Sequence, residues 1–306
     1  MKALTVGLAA VLVLTIWGCS RAADAPTEGA PAAETPAAAG EATSAAGDPE
    51  AQLTSPNEGL PIVDVTDAAA SASYPDRAAL LDTAHAATGI VEDFYVWQLY
   101  VQGTSAVGDL QGSSSGTRLL VVFERDGAGW KAVYQTEFLD ASEDALLEAA
   151  PLVSPELAGR VDFVVPVAVD PFFEGVADAL VSGGRANGIG DMGVYAPTRL
   201  PEGFTLSGTE GAEGAYASAR YSAGAAALEY TIITGSDYGD VTPDATYTRL
   251  RFGDLRSEMD ASFRFSEWVG EGVHLHTFDR GEHYLSARGI SPGMVAAVAE
   301  SMVRVR

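Results

Sequence analysis

Apolar and polar positions divide the chain into four stretches. Residues 3–17 are almost uniformly apolar, residues 21–60 show no apolar period, and 61–182 and 192–306 alternate strand and helix periods. Structure is expected from Leu60-Pro61-Ile62-Val63 onward. Pro75-Asp76 starts a helix that carries Leu80, Leu81 and Ala84 on one side and ends at Gly89. Three strands follow, read from Tyr95, Trp97, Leu99 and Val101, then Leu119, Val121 and Phe123, then Trp130, Ala132, Tyr134 and Phe138. Asp126-Gly127-Ala128-Gly129 turns the last two into a hairpin. An apolar strand from Val161 to Val169 leads to Asp170-Pro171, an N-cap with proline at the first helical position. The helix after it shows Phe173, Val176, Ala177 and Leu180 at helical spacing.

Five glycines between Gly183 and Gly193 break the pattern and read as a linker over 183–191. Beyond it, strand-like stretches run through Phe204–Ser207, Leu228–Thr234, Tyr247–Phe252 and Phe263–Trp268, followed by a hairpin from Val273 to Ala287. Ser291-Pro292 starts a closing helix with Val295, Val298, Ala299 and Met302 as its stripe. Helices mixed with antiparallel strands predict an α+β protein with two small domains, 61–182 and 192–306, each a sheet with packed helices.

The start of the chain predicts export. Met1-Lys2 precedes an apolar run from Ala3 to Trp17 and then Gly18-Cys19, the layout of a signal peptide over residues 1–18. The run is shorter than the roughly 20 residues that a spanning helix needs. Ile16-Trp17-Gly18-Cys19 resembles the lipobox of bacterial lipoproteins, although Trp17 is bulkier than usual. The resemblance implies cleavage before Cys19 and acylation of that cysteine, which becomes the first residue of the mature protein. It also implies that Ser20, rather than aspartate, permits sorting to an outer membrane where the host has one. Several acyl chains together hold a protein firmly on a bilayer. Residues 19–60 then form the anchor and a tether. From Arg21 the tether is Ala, Pro, Glu, Thr, Gly and Ser without an aromatic residue, too poor in apolar surface to order. About 40 such residues reach on the order of 35 Å.

Composition narrows the partners. Cys19 is the only cysteine, so no disulfide within the chain is available in the oxidising compartment. Forty-two acidic residues against 18 basic ones give a formal charge of −24, which repels nucleic acid and anionic head groups.

Three segments of the second half carry a further resemblance: Leu200-Pro201-Glu202-Gly203-Phe204, Gly281-Glu282-His283-Tyr284-Leu285, and Ile290-Ser291-Pro292 through Ala299-Glu300-Ser301-Met302. Residues 192–306 are similar to an α+β domain of unknown function at the C-termini of anti-sigma-factor-like and other envelope-associated bacterial proteins. His276 departs from that pattern, standing near where a tryptophan often sits. The resemblance implies sensing or protein binding in the envelope and supplies no catalytic residue.

Several strings look chemical. Gly112-Ser113-Ser114-Ser115-Gly116 spells G-x-S-x-G but precedes a strand, so it reads as a loop and not as a nucleophile elbow. Gly188-Ile189-Gly190-Asp191-Met192-Gly193 spells G-x-G-x-x-G without the βαβ unit that a dinucleotide site requires. Asp237, Asp240 and Asp244 lack EF-hand spacing. His85 flanks the core on the first helix. Tyr95, Trp97, Trp130 and Tyr134, if on neighbouring strands, line a pocket or fill a core. His274, His276 and His283 fall within ten residues. With Arg280-Gly281 as a two-residue turn all three share one face and can hold a metal; one more loop residue sends His283 to the other face. The expectation is a lipid-anchored envelope protein with a non-catalytic binding or sensing role toward a protein partner, and no cofactor. The alternatives are an envelope enzyme with an unassigned site and a carrier of a small apolar ligand.

Overall fold

The computed structural model describes residues 55–69, 74–127, 129–235 and 281–306, and the backbone of strands at 247–248, 261–266 and 272–277. Cys19 and residues 19–54 of the expected tether, the Asp237, Asp240 and Asp244 string, and the side chains of His274 and His276 lie outside the described residues. The architecture is α+β, as the patterning predicts.

The first sheet is an antiparallel meander of β1 (Ile62–Asp64), β2 (Phe94–Gln102), β3 (Ser105–Gly112), β4 (Arg118–Asp126) and β5 (Gly129–Glu137), in that spatial order. One face is covered by α1 (Asp76–Thr88), whose Leu80 and Ala84 pack on Leu99, Val101, Leu110, Val121 and Phe123. Gly89 ends this helix in the left-handed conformation. Val107, Leu120 and Val122 face the opposite side and enter a second, larger core. The sheet is therefore buried on both faces, and β3 is buried at every position. That explains why Ser-Ala-Val-Gly-Asp-Leu-Gln-Gly gives no strand alternation in the sequence.

Two bulges divide the aromatic set. The register of β2 on β3 shifts between Val96 and Gln98, making Trp97 the extra residue; that of β5 on β4 shifts at Val122/Phe123, making Val133 extra. An extra residue reverses which face the following side chains occupy. Tyr95 and Trp97 accordingly pack into the larger core, while Leu99 and Val101 pack under α1. Tyr134 joins the larger core and Trp130 lies on the α1 side, with the Arg125 guanidinium 4.8 Å from its ring. β2 and β5 are also separated by β3 and β4. The four aromatics, expected to line a pocket or fill a core, contribute to two cores.

After the first sheet come a 3-10 turn at Phe138–Asp140, α2 (Glu143–Ala149), α3 (Pro155–Ala158), β6 (Val164–Pro166), α4 (Pro171–Ala186), β7 (Tyr195–Pro197) and β8 (Arg199–Pro201). A seven-stranded sheet follows, built from β9 (Thr205–Ala212), β10 (Tyr216–Ala223), β11 (Ala226–Ile233), β12 (Tyr247–Thr248), β13 (Ala261–Ser266), β14 (Gly272–Thr277) and β15 (Glu282–Arg288). Its order is β12-β13-β14-β15-β11-β10-β9. The described chain closes with α5 (Pro292–Glu300) and β16 (Met302–Arg304), which pairs with β7.

The glycine-rich stretch is a packing surface over much of its length. Asp170 caps α4 through Phe172 N–H, and the helix runs on through Gly183 and Gly184 to Ala186. A Cβ on Gly183 would overlap the carbonyl oxygen of Gly214 in the β9–β10 turn; one on Gly184 would lie 2.7 Å from Met192. Two further features join the segments on either side of this stretch. β6 pairs with β8, and one buried cluster takes in Leu120 of β4, Phe173 of α4, Tyr230 of β11 and Val295 of α5. Residues Gln52–Arg306 form one compact unit, where the sequence predicts two domains. α5 is buried from Gly293 through Ala299, all round and not along one stripe. Its alternation of small and branched residues suits a helix enclosed by neighbours on every side. The fold also begins earlier than residue 61: the Ser55 hydroxyl donates to the Leu152 carbonyl, and the Asn57 amide donates to Ser105 Oγ and Leu152 O.

Candidate functional site

A groove of about 1050 Å³ opens where four segments meet. The first wall is the turn at Phe138–Asp140 with the start of α2. Ser142 caps that helix by accepting from Ala145 N–H, and Glu143 and Asp144 fill its first turn. Acidic side chains are favoured there by the helix dipole. The second wall is the stretch from Val161 into β6, the third is β8 with Glu202, and the fourth is the approach to α5. Ser291 caps α5 by accepting from Met294 N–H at 3.4 Å and donates to Asp162 Oδ2 at 3.1 Å, tying the fourth wall to the second.

The floor is apolar and the rim is acidic. Phe163, Val165 and Ile290 are half-buried, with Met294 buried beneath them. Asp140, Glu143, Asp144, Asp162 and Glu202 are exposed around the rim, and Arg199 is the only cation among the lining residues. Arg199 stands 3.4 Å from Asp140, an exposed pair worth less than about 1 kcal/mol.

Beneath the groove lies a buried ionic network that fixes its floor. Phe163 stacks on Phe138 at 6.3 Å, and the Arg118 guanidinium lies 4.1 Å from the Phe138 ring centre and 5.2 Å from that of Trp97. Arg118 donates to both oxygens of Asp109, at 2.8 and 2.6 Å, and approaches Glu300 of α5 at 3.7 Å. Gln111 accepts from the Trp97 indole and donates to Glu300. Burial pushes the Asp109 carboxyl up, and the Arg118 charge offsets part of that shift. Burial alone would lower Arg118, but the Asp109 charge and hydrogen bond outweigh it and hold the guanidinium protonated. The network joins the first sheet to α5 and is closed to solvent, so it holds elements together instead of presenting a reactive group.

The remaining sequence candidates fall elsewhere. Gly112–Gly116 is the β3–β4 turn, closed by Gly112 N–H to Thr117 O and Gly116 N–H to Gly112 O. His85 stacks on Phe94 at 4.4 Å, with Nδ1 2.8 Å from the Ile90 carbonyl, a core-flanking role. His283 is fully buried, its Nδ1 2.9 Å from Tyr230 Oη and its ring edge-on to Tyr195. The register opposes His283 to Thr277, not to Phe278, one residue different from a two-residue turn. That register differs from the one a single-face histidine cluster requires; the side chains of His274 and His276 lie outside the described residues. Among the described residues, no three His, Cys, Asp or Glu side chains are grouped to hold a metal ion.

Sequence reasoning missed the groove's carboxylates because they come from three segments distant in the chain. Ser142-Glu143-Asp144, a cap followed by acidic first-turn residues, was the one local signal present. Among the described residues no helix is long and apolar enough to cross a membrane.

No family model and no curated protein matches the chain. Among solved structures it is similar to MucB in complex with MucA(peri), at 14% identity and a TM-score of 0.23, over 68% of this chain and 61% of that one.

Proposed function

We propose that this is a lipid-anchored protein of the cell envelope, without catalytic activity of its own, that binds a partner protein through the groove between α2, β6, β8 and α5. The groove carries the binding part of this reading. Half-buried Phe163, Val165 and Ile290 line the groove together with exposed polar and acidic side chains. An apolar centre within a polar rim is the general anatomy of a protein interface. The anchoring part rests on Gly18-Cys19 at the end of the apolar run.

Each part has its own test. Cys19→Ser should move the protein from the membrane fraction to the soluble fraction or block its processing. Normal cutting with continued retention as an integral protein would remove the anchor from the reading. For the groove, a photo-crosslinking amino acid at Val165 in the full chain, expressed in its native envelope, should give one discrete adduct that Ile290→Asp abolishes. The same group at Val91, which is 93% exposed and outside the groove, should give none. Adducts at Val91 but none at Val165 would overturn the groove as the binding surface.

A further inference from the structure

We infer that the groove's occupant is a basic segment of the partner, seated with an apolar side chain on the Phe163–Ile290 floor and lysine or arginine against the rim. This rests on the groove being the binding surface and adds the chemistry of what fills it. Five carboxylates face one guanidinium among the lining residues, whereas the whole chain has 42 acidic and 18 basic residues. The lining is thus more acidic than the chain average. Its single cation, Arg199, already lies beside Asp140.

The carboxylates come from three segments, with Asp140, Glu143 and Asp144 on one of them, and no three are grouped as metal ligands. Such a spread-out field suits several cationic side chains along a segment better than one chelated ion. It repels anionic lipid head groups and nucleic acid. Phe163, Val165 and Ile290 line the same groove as the five carboxylates, so an apolar residue flanked by cations satisfies both kinds of lining. Basic complementarity of this kind speeds encounter and fixes orientation.

The test uses the full chain, purified in detergent, with fluorescein-labelled nine-residue peptides that alternate lysine with valine, glutamate with valine, or lysine with serine. The lysine–valine peptide should bind at least about tenfold more tightly than the other two, and should weaken as salt rises from about 50 to 300 mM, where screening becomes strong. Glu143→Gln/Asp144→Asn/Glu202→Gln alters exposed positions only and should weaken it about tenfold, the scale of three exposed charge contacts. Asp126→Asn/Glu210→Gln/Glu213→Gln removes the same charge outside the groove and should change it less than about twofold. Equal losses in the two triple variants would assign the effect to the −24 net charge and overturn the proposal. Equal binding of the lysine–valine and glutamate–valine peptides would also overturn it. In that case a Val165 adduct sensitive to Ile290→Asp would still leave the groove as a binding surface of other chemistry. Loss of that adduct as well would remove both readings.

Discussion

Gly175→Ala and Gly183→Ala, both in α4, should move stability in opposite directions. Propensity alone predicts a gain of about 1 kcal/mol for each, because alanine is the better helix former. At Gly175, which is exposed, an added Cβ meets nothing within 4 Å, so most of that gain should appear. At Gly183 the added Cβ would overlap the Gly214 carbonyl oxygen and lie 3.0 Å from Gly214 Cα. These are backbone atoms, so no side-chain rotamer relieves the overlap; the helix or the β9–β10 turn must move. Overpacking of this kind costs about 1–3 kcal/mol. Setting the upper part of that range against the propensity gain leaves a net loss of about 1–2 kcal/mol. The two variants should therefore differ by about 2–3 kcal/mol, or roughly 4–12 °C in melting temperature for a domain of this size. Thermal and urea unfolding followed by circular dichroism measure this directly. A stabilised Gly183→Ala would show that α4 does not rest on the β9–β10 turn, and would restore residues 183–191 as a free linker.

The other predictions probe the joint between the sheets and one buried carboxyl. Arg118→Leu leaves Asp109 buried without its partner and should cost about 3–5 kcal/mol in urea unfolding, whereas Asp109→Leu/Arg118→Leu should recover most of the loss. A single-variant cost below about 1 kcal/mol would mean the pair is not desolvated. A fragment of residues 192–306 lacks α4 and β6, and leaves α5 uncovered where it meets Trp97 and Arg118, so it should melt without cooperativity. A sharp transition in that fragment would refute the single compact unit. Burial pushes the Glu282 carboxyl above its ordinary value of 4.5, against a hydrogen bond from Tyr284. The folded protein therefore binds that proton more tightly than the unfolded chain. Its contribution to stability is full below pH 4.5 and is lost as pH rises through the folded value. Glu282→Gln should make the fall in stability between pH 4.5 and 7 shallower than in the wild type, and an identical slope would contradict the shift.

Elements with local signals were legible from the sequence. The Gly89 stop of α1, the Asp170-Pro171 start of α4 and the Ser291-Pro292 start of α5 all act within one helical turn, and each stands where the spacing predicts. β3 was not legible, because burial on both faces removes alternation. Its Asp109 and Gln111 look like loop residues until Arg118, Trp97 and Glu300 are in place to pair with them. Face assignment failed for a related reason. A period of two predicts sides only while pairing is regular, and one extra residue at Trp97 or Val133 reverses everything beyond it. The same parity bears on His283, which the register opposes to Thr277 and not to Phe278.

Glycine composition misled for a different reason. A flexible linker and a close backbone contact both require a missing side chain, so Gly183 reads alike in either case. What separates them is whether the preceding helix has reason to stop, and between Phe173 and Leu180 the apolar spacing gives none. The groove lay furthest from view because nothing within any one of its four segments marks it. Two of its carboxylates, Glu143 and Asp144, are explained locally by the helix start at Ser142 and would stand there without a ligand. Asp162 also accepts from Ser291, and Glu202 stands in the turn closed by Phe204 N–H to Pro201 O; neither lies at a helix start, and folding brings both to the one groove. A binding reading of the groove therefore leans on the combination of its carboxylates with Phe163, Val165 and Ile290, and on no single one of them.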